Sequence, residues 1–370
     1  MKKLIILLTM IFTIASLAAC DGNEDSVLEG VTYETHDDYE TPYETTYEIM
    51  TDNEPDDEPE QPEDEAEPEE DESEEADKQS ASSTTKSPDV LMIGDVVLNL
   101  SHLDLDLSNR QLTEEDLAPL RYMTQLTKLD LSGNAIVDLS QTYISELTNL
   151  RHLNLSTNRI TDEWHRGIYF LEDISELANL TELESLNLNN NAVSDLSPLA
   201  NLTNLISLNA ATNLIDDISP IKGLTNLQGL YIGALLPGTD LSYLEYFTNL
   251  IGLDLSSSRL DDITPLASLT NLVWLNLNGN HDITDITPLS GLVELRTLAI
   301  ANVAINDLTP LAGLTNLDRL NISDLNWRDE PLTDLSPLAN LTALEYLSIF
   351  GHGNYIIDWS YVAHVANITP

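Results

Sequence analysis

Eleven times between Leu105 and Ile349 the chain repeats a Leu-x-Leu phrase or a close variant, at a spacing that is usually 22 or 23 residues. The clearest copy reads Leu183-x-x-Leu186-x-Leu188-x-x-Asn191-x-Val193-x-Asp195-Leu196-Ser197-Pro198-Leu199-x-x-Leu202, and the next begins at Leu205. A unit this short cannot bury its apolar face alone, so a fixed period of this kind demands a stack of coils, a solenoid.

Each position in the unit has a physical task. In Leu186-Asn187-Leu188 the side chains alternate, so both leucines point inward, Asn187 faces out, and stacked copies form a parallel sheet. Asn191 follows where the chain leaves the strand, and its amide can satisfy backbone groups there. Ser197 precedes Pro198, which reads as a serine at the start of a helical turn with proline in the first turn. The device recurs at Ser219, Thr264, Thr287, Thr309 and Ser336, each with an aspartate two residues before the hydroxyl: Asp195, Asp217, Asp262, Asp285, Asp307 and Asp334. Seen singly those aspartates resemble catalytic acids; seen in register they are turn and cap chemistry.

This unit resembles the leucine-rich repeats of the internalins, bacterial surface proteins with a 22-residue repeat, over residues 100–350 and above all over Leu205 to Leu224. The resemblance implies an α/β fold: a curved leucine-rich repeat solenoid with a concave parallel β-sheet and short helical or 3-10 turns on the convex side. It also implies cell-surface exposure and recognition of other proteins through the concave face. The asparagine column holds at Asn134, Asn158, Asn191, Asn213 and Asn280, but is Arg110, Leu235, Ser258, Val303, Leu325 and His352 elsewhere. Those six turns must find other partners, which predicts irregular geometry in the carboxyl-terminal half. No wall-sorting motif or immunoglobulin-like module follows the repeats.

Three segments are expected: a lipoprotein signal peptide over 1–19, an acidic disordered tether over 20–88, and the repeat domain with its caps over 89–370. Lys2 and Lys3, the apolar run Leu4 to Leu17, and Leu17-Ala18-Ala19-Cys20 follow the order of a secretory signal and resemble the bacterial lipobox, which makes Cys20 the lipidated residue. The alternative is an ordinary secretory signal with an incidental cysteine. Asp21 resembles the signal that retains lipoproteins at an inner membrane where a cell has an outer one. Cys20 is the single cysteine, so the domain is held by its core without disulfides.

Residues 21–90 carry 28 acidic and 2 basic side chains and almost no apolar periodicity, so they cannot bury enough surface to offset the entropy of ordering. As an ideal coil, the 68 residues from 21 to 88 would span about 45 Å. Beside the spacer reading stand loose calcium binding and docking of the Tyr33-Glu34-Thr35 type of triplet. Residues 91–370 have 35 acidic against 11 basic side chains, and both parts repel phosphate, which argues against nucleic acid.

At the ends, Val90 to Leu100 reads as a strand pair covering the first coil, and Ile356 to Val362, with Trp359 in the core, as the closing element. Two longer spacings carry extra material: Asp162 to Phe170, aromatic and partly basic, and Asn326 to Glu330.

The strand register places Asp106, Asp130, Asn154, Asn187, Asn209, Tyr231, Asp254, Asn276, Ala299, Asn321 and Ser348 outward. Flanking columns add Lys128, His152, Trp274, Arg319 and Tyr346 on one side and Phe350 on the other. Tyr231, Trp274, Tyr346 and Phe350 are therefore expected exposed on the concave face, and with Arg319, Lys128 and His152 they form the candidate partner-binding set. The seven histidines fall in no zinc or paired-ligand spacing, and no phosphate loop is present, so no enzyme, metal or cofactor is expected. The reading is a lipid-anchored surface protein, expected monomeric, that binds a protein partner. The alternative is a structural scaffold of the cell envelope without a discrete hot spot. Alanine at Trp274 or Tyr346 is expected to weaken partner binding while leaving the circular-dichroism melt unchanged; a variant that binds normally counts against the concave site.

Overall fold

The computed structural model describes residues 91–162, 167–325, 331–352 and 354–370. The expected signal peptide, Cys20, the acidic tether and the extra stretch Asn326 to Glu330 lie outside the described residues, as do the side chains of the 160–169 insertion.

Twelve three-residue strands pair in parallel, one residue opposite one, into a single sheet. Before it, β1 (Leu91–Ile93) and β2 (Val96–Leu98) form the antiparallel pair expected at the amino-terminal end. The sheet then runs through β3 (Asp104–Asp106), β4 (Lys128–Asp130) and β5 (His152–Asn154). A second antiparallel hairpin, β6 (Arg159–Asp162) and β7 (Gly167–Phe170), interrupts the sequence of coils; it accounts for the longest spacing. The sheet resumes with β8 (Ser185–Asn187), β9 (Ser207–Asn209), β10 (Gly229–Tyr231) and β11 (Gly252–Asp254). It ends with β12 (Trp274–Asn276), β13 (Thr297–Ala299), β14 (Arg319–Asn321), β15 (Tyr346–Ser348) and β16 (Asn367–Thr369). β5 pairs directly with β8, so the insertion leaves the ladder unbroken.

The strand leucines Leu105, Leu129, Leu153, Leu186, Leu208, Leu230, Leu253, Leu275, Leu298, Leu320 and Leu347 are all buried in one continuous core. Burying a leucine side chain is worth about 2 kcal/mol, and every coil contributes several. Where each strand ends, the asparagine column welds one coil to the next. Asn191 Nδ2 donates to Leu188 O in its own coil and to Leu155 O in the preceding one, both at 2.9 Å, while its Oδ1 accepts the Asn158 N–H at 3.0 Å. Asn134, Asn158, Asn213 and Asn280 repeat the pattern, so Leu131, Leu155 and Leu188 carbonyls each accept from two successive asparagines. A second column, which the sequence reading did not single out, lies just ahead of the strands. There Asn149, Asn204, Asn226, Asn249, Asn271 and Asn316 each donate to a carbonyl of the preceding coil at 2.8–2.9 Å.

Three expectations change. The carboxyl-terminal half keeps its register through β16 despite the missing asparagines, because apolar substitutes enter the core and Ser258 Oγ takes the Leu235 N–H at 3.1 Å. Leu235, Val303 and Leu325 are buried, and His352 is buried as well. Second, the chain does not close at Val362. Ile356-x-Asp358-x-Ser360-x-Val362 repeats Val193-x-Asp195-x-Ser197-x-Leu199, and a twelfth strand follows it. Trp359 is partly buried against the core, as expected. Third, the serine or threonine is not the cap of the convex turn. The aspartate is: Asp195 Oδ1 accepts the Ser197 N–H at 2.7 Å, and Asp217, Asp262, Asp285, Asp307 and Asp334 do the same at 2.7–2.8 Å. The turns themselves are 3-10 turns of three to five residues, with proline in the first two positions.

A further column concerns the backbone. The residue just before the asparagine position takes a left-handed φ in eleven successive coils, from Asn109 to Gly351, and only Gly133, Gly279 and Gly351 among these are glycines. Thr157 and Thr212 hold φ of 57° and 55°, a strained conformation for a β-branched side chain.

Asn213→Ala leaves the Ala210 carbonyl and the Val193 N–H without their side-chain partner and removes one of the two donors to the Leu188 carbonyl, and should cost about 3 kcal/mol in chemical denaturation. Thr212→Gly should stabilise the domain by about 1 kcal/mol in the same assay. Hydrogen bonds from the Thr hydroxyl and then its backbone N–H hold Asp262, Asp285 and Asp307 below the ordinary carboxylate value of 3.8. Their folded values are depressed, so their stabilisation is complete above 3.8 and is lost as pH falls below it. Acid unfolding of Asp262→Asn should show a smaller stability loss below pH 4 than the parent protein.

Candidate functional site

Strand alternation sends three columns to the concave face: the first strand residue, the third, and the residue two beyond it. From β3 to β9 these columns are polar except for Ala211, with Lys128 and His152 exposed in the first. The third-position residues are not free for recognition. Asp106, Asp130, Asn154, Asn187, Asn209, Asp254, Asn276 and Asn321 each accept, through a side-chain oxygen, the N–H of the residue two further on, at 2.9–3.2 Å. Each is an Asx turn that ends its strand. Sequence reading placed these residues outward correctly, yet missed that their oxygens serve the backbone; the recurring Asx-x-Ser or Asx-x-Asn spacing was the available signal.

Tyr231 departs from expectation. Its place between Leu230 and Ile232 aims it at the concave face, but only 2 % of it is exposed. The cause lies on neighbouring strands. In the first-position column Gly229 and Gly252 precede Trp274, both glycines are buried, and the Tyr231 and Trp274 rings meet with centroids 5.8 Å apart at an angle of 49°. The two rings pack on each other, Trp274 half-buried and Tyr231 covered, and the small Gly252 between their strands adds no side chain to part them. Burial, with the neighbouring Asp254 carboxylate as a lesser cause, pushes the Tyr231 phenol up to about 12. Burial likewise raises Asp254 above its ordinary value, against the opposing pull of the bonds from Ser256.

Beyond this plug the floor becomes small, with Thr297, Ala299 and Ala301, and then rises to the exposed group. Arg319 and Tyr346 are direct neighbours in the first-position column, and the guanidinium carbon sits 4.0 Å from the ring centroid. Tyr346 is 40 % exposed and Phe350 60 %. Stacking on the ring leaves the edge of the guanidinium, with its planar array of donors, open to a ligand. Asp318 lies 3.9 Å from Arg319 Nε and is partly exposed, too distant to occupy that edge fully. A concavity of about 260 Å³ opens here, lined by Thr297, Ala299, Arg319, Tyr346, Asn367 and Thr369 among others. The last two come from the twelfth strand, so part of this lining was invisible to a reading that ended the sheet at Ser348.

The structure thus brings Arg319 and Tyr346 together, with Phe350 exposed further along the same coil as Tyr346, keeps Trp274 two strands away, and leaves His152 seven and Lys128 eight strands from Arg319. Among the described residues no three metal-ligating side chains converge.

The comparisons with known proteins follow the geometry. A family model of leucine-rich repeats, two copies, matches residues 124–163. Among solved structures, an internalin, InlF, of Listeria monocytogenes aligns at 27 % identity over 74 % of this chain and 88 % of its own, with a TM-score of 0.54. Internalin C2 of the same organism aligns at 35 % identity over 52 % of this chain and 83 % of its own, with a TM-score of 0.48. No curated protein sequence matches the chain. The fold is a leucine-rich repeat solenoid that matches its internalin neighbours, and the family match agrees with the stacked coils.

Trp274 covers a buried ring, whereas Tyr346 stands on the surface. Trp274→Ala should therefore cost about 2 kcal/mol by urea unfolding, and Tyr346→Ala under about 1 kcal/mol. Equal costs for the two would contradict the covering role of Trp274.

Proposed function

We propose that this leucine-rich repeat chain is a bacterial surface lipoprotein that binds a protein partner on the carboxyl-terminal half of its concave face. The observation that carries the reading is the Arg319–Tyr346 stack at a concavity with a small-residue floor, with Phe350 exposed on the same coil as Tyr346. Exposed aromatic side chains and arginine are the residue types that dominate binding energy when a partner desolvates them. The face also has the right extent. Twelve strands at about 4.8 Å span roughly 50 Å, which suits a macromolecule better than a metabolite. Lys128 and His152 would act at most as peripheral contacts, and Tyr231 as support for Trp274.

The anchor in this reading is a lipid on Cys20, with residues 20–88 as the spacer between membrane and solenoid. Two acyl chains would hold the protein stably at a membrane surface. The likeness to internalins supports a surface role and a protein partner; the lipid rests on the lipobox-like residues at the amino terminus.

The scaffold alternative predicts different behaviour. Residues 91–370 carry 35 acidic and 11 basic side chains, and a purely electrostatic association would fade as salt screens charges beyond about 10 Å at 0.1 M. Crosslinking on intact cells identifies the partner, and titration of the captured protein against variants then decides. Arg319→Ala and Tyr346→Ala should each weaken binding by about tenfold or more, roughly 1.4 kcal/mol, with little change at 0.5 M salt. Binding that ignores both substitutions and vanishes with salt would favour the scaffold.

A further inference from the structure

The asparagine column ends in a histidine. His352 stands where Asn280 and its equivalents stand, directly after the left-handed Gly351, and only 3 % of it is exposed. Unlike those asparagines it performs no bonding with its side chain: among the described residues neither Nδ1 nor Nε2 has a hydrogen-bond partner. Its backbone does hold the coil together. The His352 N–H donates to Ile349 O at 3.2 Å, and its carbonyl accepts the Tyr355 N–H at 2.8 Å. The same coil presents Tyr346 and Phe350, the two exposed aromatics of the proposed contact surface.

We infer that His352 is an acid-sensitive latch: protonation of its ring below neutral pH opens the last coil and withdraws Tyr346 and Phe350 from the concave face. This rests on the proposed function for its consequence, but the latch itself is a property of the free protein.

A neutral imidazole tolerates this site because it is largely apolar and fills the core, as Leu325 does one coil earlier. An imidazolium would add a second unsatisfied donor and a full charge in the same space. The charge acting on the ring among the described residues is that of Asp324, whose Oδ1 lies against Gly351. Other titratable groups near the end of the solenoid are committed elsewhere. Asp358 accepts the Ser360 N–H at 2.8 Å, and His364 Nε2 pairs with Leu341 O at 2.9 Å. Burial pushes His352 below its ordinary 6.5, and the Asp324 carboxylate opposes this without cancelling it. A depressed folded value in a base means that the open coil binds the proton more readily. Stability is therefore intact above 6.5 and declines as pH falls from there toward the folded value. The location favours a response confined to the end of the stack, because only the partial coil that ends in β16 lies beyond the coil of His352.

Hydrogen exchange read by mass spectrometry on the full chain tests this, with peptides covering 346–370 compared between pH 7.5 and 5.5. Two variants remove the titration by different routes: His352→Asn rebuilds the ladder residue, and His352→Leu copies the apolar substitute at Leu325. Opening of the terminal coil in the parent should increase by up to about tenfold per pH unit below 6.5, relative to either variant at the same pH. Peptides over β8 to β11 should show no such difference, and His364→Gln should behave as the parent does. If the parent and both variants respond alike to acid, or if His364→Gln abolishes the response, the latch is overturned. Failure of the concave site would leave this result untouched, since no partner is present; it would appear instead as normal binding by Arg319→Ala and Tyr346→Ala.

Discussion

The structure depends on one interaction repeated along its length, the burial of a strand leucine from each coil against the leucines of the coils on either side. Nothing else in the chain can substitute for it. There is no disulfide within the domain, and the described ion pairs are few and largely exposed. Parallel strands of three residues provide too little hydrogen bonding to stand alone, so the leucine column must set the register and the backbone ladder then follows. This explains why the sheet runs evenly past Leu235, Val303 and Leu325. An asparagine strengthens the seam between coils, but an apolar residue at the same inward site simply enlarges the core.

Polar side chains along the solenoid are mostly occupied with maintaining it. Two columns of asparagine join adjacent coils, a third column of Asp and Asn ends the strands, and aspartates cap the convex turns. A surface rich in carboxylates and amides can therefore be poor in groups free to bind anything. That shifts attention to residues that break the pattern. Arg319, Tyr346 and Phe350 serve no backbone role in the repeat, and they cluster at one end. His352 breaks it from the inside, keeping the position of a ladder residue while giving up the ladder bonds.

Much of the fold was legible because solenoids are local. Periodic leucines, the proline turns and the opening strand pair each depend on neighbours a fixed distance away in sequence, so one copy predicts the next. What escaped detection was variation disguised within the period. Ile356-x-Asp358-x-Ser360-x-Val362 carries tyrosine where other turns carry proline, and the extra coil it begins was mistaken for a cap. The serine before each proline reads as a cap, yet its own N–H is accepted by the carboxylate two residues earlier, and the hydroxyls of Ser197, Ser219 and Ser336 donate to that carboxylate as well.

For the candidate site, sequence alone determined direction: alternation along a strand decides which side chains leave the core. Exposure was decided only by the tertiary structure. Whether an outward ring meets solvent depends on what stands beside it on the next strands, residues more than twenty positions away whose sizes are set independently. Tyr231 is covered because Trp274, two strands on and beside Gly252 in the intervening strand, packs against it, whereas Tyr346 stands clear because its neighbour Arg319 stacks on one face and leaves the rest open. Direction is a property of one strand's backbone; accessibility is a property of the assembled sheet.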